Sequence, residues 1–158
     1  MKTFTAVITF CLLANGAFSQ DWRRVEQKDE LRGSTTTAFF TDGSMPDTSF
    51  GVICFNGKFD HIKIDMGSVL DSKDFGAGER VTAKYKRDDE KPGRINQWVS
   101  KDGTSIEVGK RDSLRLITPT THKLVIEVPR YVQSEAQTTF TFPDFKPVIE
   151  ACHGLFKD

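Results

Sequence analysis

The sequence predicts a mostly β protein: an antiparallel β-sandwich or an open barrel, with a short C-terminal helix and one disulfide. Three observations lead there. About eight short runs of alternating apolar and polar residues are separated by turn signals roughly every ten residues, the pattern of sandwiches and barrels. Asn56-Gly57 lies between two such runs, and a type I′ hairpin turn needs positive φ at both central residues, which Asn and Gly tolerate best. Only one segment, following Pro143, reads firmly as helix. The chain's 158 residues suit one domain, and its 13 Phe, 2 Trp and 2 Tyr supply apolar surface for a core.

Along the chain, Met1 to Ser19 comes first. It carries one basic residue, Lys2, then the apolar run Phe4 to Ala14, then Ala17-Phe18-Ser19 with small residues at −3 and −1. This is the pattern of a secretory signal peptide cleaved after Ser19, and the run falls short of the roughly 20 apolar residues of a spanning helix. The mature protein would therefore be periplasmic or secreted and would not span a membrane. Cys11 would leave with the leader, so Cys54 and Cys152 remain. In an oxidising compartment they have only each other to bond, the alternative being two free buried thiols. No Asn-x-Ser/Thr sequon favours a eukaryotic secretory route. Without Lys2, the 22 acidic residues outnumber the basic ones by one, which argues against nucleic acid as a partner.

Residues 20–32 hold Asp21, Arg23, Arg24, Glu26, Lys28, Asp29, Glu30 and Arg32 and read as an exposed, charged lead-in segment, with Trp22 as an anchor into the domain. Residues 33–158 form the single β-rich domain. Its strands begin with Ser34 to Phe40 and Phe50 to Phe55, followed by Lys58 to Asp65 with Ile62 and Ile64 on one face. Val81, Ala83 and Tyr85 alternate with polar neighbours in Arg80 to Lys86; after the charged turn Arg87 to Gly93, Arg94 to Ser100 returns, and Lys101-Asp102-Gly103 turns into Thr104 to Val108. Gly109 to Ile117 suits a helical turn stopped by Thr118-Pro119. Leu124, Ile126 and Val128 share a face, and so do Phe140 and Phe142. Pro147 fits the first turn of the closing helix, which Cys152 would pin to the strand bearing Cys54. The expected core is Val52, Ile62, Ile64, Val81, Tyr85, Trp98, Leu124, Ile126, Val128, Phe140 and Phe142.

Motifs of chemistry are sparse. His61, His122 and His153 lack the short spacings that place two ligands on one metal, and the cysteines are better used by each other, so no metal and no cofactor is expected. Asp74-Phe75-Gly76 lacks every other kinase element, and the glycine-rich Gly76-Ala77-Gly78-Glu79-Arg80 lacks a phosphate loop's lysine and the helix that should follow. No Gly-x-Ser-x-Gly elbow is present, and the carboxylates mostly alternate with lysines and arginines. The chain therefore reads as a non-catalytic binding protein. Lys84, Lys86, Arg87, Lys91 and Arg94, interrupted by Asp88, Asp89 and Glu90, form a basic cluster at a hairpin tip and are the candidate partner contacts, for a protein or an anionic envelope polymer.

The succession of landmarks is also distinctive: the strand ending in Cys54, the Asn56-Gly57 hairpin, the strand Asp60 to Asp65, the strand Val81 to Arg87 followed by Asp88 and Trp98, Leu124 to Pro129, Thr138 to Phe142, and a closing helix with Cys152. This order resembles the TagO/VasI type of type VI secretion-associated protein over roughly Gly33 to Gly154, with Cys54, Trp98 and Cys152 its most specific points. The charged stretch after the leader departs from that pattern. The resemblance implies a small exported β-rich accessory of an envelope-spanning secretion machine, with no catalytic residues to carry over and with an envelope protein or cell-wall component as its partner. The alternative is a periplasmic inhibitor or exclusion factor that projects the loop Met66 to Glu79 into a cell-wall enzyme or a phage component.

Overall fold

The computed structural model describes residues 21–68, 70, 80–129 and 135–156. Residues 1–19, read from the sequence as a leader, together with Gln20, the Asp74-Phe75-Gly76 tripeptide and all of the loop Met66 to Glu79 except Met66, Gly67, Ser68 and Leu70, lie outside the described residues. Nine strands form one antiparallel sheet: β1 (Arg23–Asp29), β2 (Ser34–Asp42), β3 (Ser49–Phe55), β4 (Lys58–Asp65), β5 (Arg80–Arg87), β6 (Gly93–Val99), β7 (Ser105–Gly109), β8 (Lys123–Val128) and β9 (Ala136–Thr141). Two short helices accompany them among the described residues, α1 (Lys110–Leu116) and α2 (Lys146–Ala151). The strand order is β1-β2-β3-β4-β7-β6-β5-β8-β9. Of the two arrangements the sequence allowed, this is the open barrel: one sheet curled into a half-barrel.

Alternation builds the core. Phe50, Val52 and Cys54 of β3, Ile62 and Ile64 of β4, and Leu124, Ile126 and Val128 of β8 all point inward and are fully buried. Asn56 (φ 50°) and Gly57 (φ 73°) make the β3–β4 turn with both residues left-handed, as the sequence requires. A bulge follows: Ile53 faces His61 but Cys54 faces Phe59, so Asp60 has no opposite residue, and such an insertion increases local twist.

Curling brings the far ends of the sheet together at one corner. Gly43, just past β2, bridges to Phe140 of β9; the Ser44 amide donates to the Thr139 carbonyl (2.8 Å), and the Thr139 amide donates to Ser44 Oγ (2.9 Å). The buried Thr48 and Thr138 hydroxyls share a hydrogen bond of 3.0 Å beside it. A Cβ on Gly43 would lie 2.2 Å from Thr48 Oγ1 and 2.5 Å from Thr138 Oγ1, so this seam has no room for a side chain.

Three expectations are corrected. The lead-in segment is mostly strand: β1 pairs with β2 from Arg23↔Phe40 to Asp29↔Ser34. It is an edge strand with both faces in water, so it needs no alternation, and charge is the usual guard of an edge. Trp98 is outside the core, 45% exposed. Ile95 and Trp98 are three residues apart and cannot share a face of a regular strand; β6 turns Ile95 and Gln97 inward, and Gln97 donates to Asp112 of α1 (2.8 Å). Tyr85 keeps the inward side but sits near the end of β5, half-buried, with its ring against Gly93.

Candidate interaction surface

The basic cluster does not come together as one open patch. Lys84 Nζ of β5 donates to Glu127 of the neighbouring β8 (2.6 Å) and to Glu135, just before β9 (2.8 Å). Those hydrogen bonds, Glu127's first, raise the Lys84 pKa, and the Lys84 bond in turn lowers that of Glu135. Arg87, whose side chain is 16% exposed, forks onto Glu90 (2.7 and 2.8 Å) and donates to the Leu114 carbonyl (3.2 Å). Lys86, Lys91 and Arg94 form no ion pair within 4 Å among the described residues. What remains there is a shallow depression of about 460 Å³ lined by Lys84, Tyr85, Lys86, Pro92, Val125, Glu127 and Gln137.

A second concavity, unmarked in the sequence apart from its tryptophan, lies between β1 and α2. It measures about 490 Å³ and is lined by Asp21, Trp22, Arg24, Phe39, Pro143, Asp144, Pro147, Glu150 and Ala151. Trp22 serves as the expected anchor: its indole Nε1 donates to the Asp144 carbonyl (3.0 Å) and its ring stacks on Phe142 (centroids 6.0 Å apart) and tilts against Phe145 (5.2 Å). Arg24 lies over the Phe39 ring at 5.9 Å and pairs with Glu26 at 2.9 Å. The opposite wall is α2, opened by Pro147 in its first turn.

The disulfide fixes that wall. Cys54 and Cys152 are bonded, with Cα atoms 5.6 Å apart and both residues buried. Beside it the His153 amide donates to the Gly57 carbonyl (2.8 Å) and the Phe59 amide to the His153 carbonyl (2.9 Å), tying the end of α2 to the β3–β4 turn. One aromatic chain therefore runs from Trp22 through Phe142 and Phe145 to Phe156, beneath the groove. Sequence spacing could not reveal this site, because its two sides are about 120 residues apart in the chain.

Elsewhere the outer face carries Trp98 with the Arg80 guanidinium 4.2 Å from its ring. His61 pairs with Asp60 (2.8 Å), and no group of three or more His, Cys, Asp or Glu suited to a metal occurs among the described residues. No helix among the described residues is long and apolar enough to cross a membrane. No family model, no curated protein and no solved structure matches this chain.

Proposed function

We propose that the protein is an exported, non-catalytic binding protein of the bacterial envelope, an accessory of a type VI secretion apparatus, and that it holds its partner in the groove between β1 and α2. The groove is the observation that carries this reading: an aromatic and proline-lined concavity whose helical wall is bonded covalently to the barrel, so that the surface is preorganised for binding. The disulfide itself is consistent with an oxidising compartment. The secretion role is supported by the order of landmarks from Cys54 to Cys152.

The test is photocrosslinking in intact envelopes from a reactive group placed at Glu150, with a second at Lys91 on the basic hairpin. A secretion-machine component captured from Glu150 and not from Lys91 is the expected result. Capture of a peptidoglycan-cleaving enzyme or a phage protein would replace the accessory role with an inhibitory one. Absence of any product from both positions would overturn the binding reading.

A further inference from the structure

β1 stands apart from the rest of the sheet. The seam joins the end of β2 to β9, so β1 continues past the closed corner, paired on one side only among the described residues, with every residue from Arg23 to Lys28 exposed. Its free side presents a row of backbone N–H and C=O groups, a template for another strand. Val25, on its outer face, is 49% exposed.

The charge order along β1 selects the strand that fits. Arg23 and Arg24 open it, Asp29 ends it, and Glu30 follows in the turn. A parallel copy would set like charge against like, whereas an antiparallel copy sets the basic end of each against the acidic end of the other. Two-fold symmetry allows only registers in which one residue faces its own copy. Centred on Glu26, the pairing sets Arg23 opposite Asp29 but Glu26 opposite itself and Arg24 opposite Lys28; centred on Val25, it sets Arg24 opposite Glu26 but Asp21 opposite Asp29. Centred on Gln27, it opposes Glu26 to Lys28 within the strand and Arg24 to Glu30 at its turn end, each twice by symmetry, and sets no like charges opposite one another. The ion pairs these residues now make, Arg24 with Glu26 (2.9 Å), Arg23 with Asp42 (3.7 Å) and Asp29 with Arg32 (3.9 Å), are exposed, so exchanging them for pairs with a second molecule costs little.

We propose that β1 pairs antiparallel with β1 of a second copy, centred on Gln27, joining two barrels in one continuous sheet. This surface adjoins the groove but does not depend on what the groove binds. Sedimentation of the oxidised protein over a concentration series should give a dimer. Glu26→Lys alone and Lys28→Glu alone each set like charges opposite across the two-fold and should weaken it by at least about tenfold. Mixed together, the two variants should associate again, because each supplies the sign the other needs. Both positions are exposed, so the circular dichroism spectrum of each variant should match that of the parent. A monomer at every concentration, variants that dimerise like the parent, or a mixture that fails to associate would each overturn the proposal.

Discussion

Trp98 shows how one register decides a residue's worth. As a core residue its truncation would cost about 3 to 5 kcal/mol. Lying on the outer face under Arg80, it contributes mainly one exposed cation–π contact, so Trp98→Ala should cost about 0.5 to 1 kcal/mol in urea unfolding. Gly43 is the opposite case, a small residue with a large role. Any Cβ there collides with Thr48, Thr138 and Phe140, and Gly43→Val should cost about 2 to 3 kcal/mol by the same measurement, through overpacking at the seam. Asp102 governs a pH effect. The Ser100 hydroxyl and the Thr104 amide donate to its carboxylate, and the Ser100 bond above all lowers its pKa. A depressed carboxylate stabilises the fold above the ordinary range near about 4 and loses that contribution as pH falls through it. The stability difference between the parent and Asp102→Ala, clear at neutral pH, should therefore shrink in acid unfolding series below about pH 4.

Among the elements, α2 depends most on its attachments. It is six residues long, too short to persist by its own backbone bonds, and it is held by Val148, by the aromatic cluster and by the bond from Cys152 to Cys54. The disulfide closes a span of 98 residues, for which chain entropy gives roughly 4 to 5 kcal/mol. Replacing both cysteines with alanine should lower stability by about that amount, and amide exchange across α2 should quicken well before it does in β5 and β8. The elements legible in the sequence were those that bury one face. β3, β4, β5, β8 and β9 announced themselves by alternation, the β3–β4 turn by Asn56-Gly57, and α2 by Pro147. β1 was illegible as a strand because neither of its faces meets the core; its only signal was Trp22, whose ring reaches the core from one residue before the strand begins.

For the whole molecule, composition and turn spacing were enough for an antiparallel β architecture, but not for the way the sheet is ordered. The pairing of β4 with β7 and of β5 with β8 is settled by which faces bury together over long separations, and no local pattern encodes that. The seam at Gly43 and the groove under Trp22 are likewise products of closure. The basic cluster was visible, yet its dispersal onto Glu90, Glu127 and Glu135 depended on neighbours from β8 and the segment before β9. Closure also sets a timetable. The hydrogen-bonded clasp from Gly43 to Phe140 and the covalent clasp from Cys54 to Cys152 fasten the same early ribbon to the same late stretch of chain. A polypeptide interrupted before Thr138 during synthesis possesses neither clasp and leaves its apolar strand faces open to proteases. Completed and incomplete molecules are thereby told apart by their own topology, without a separate inspection step.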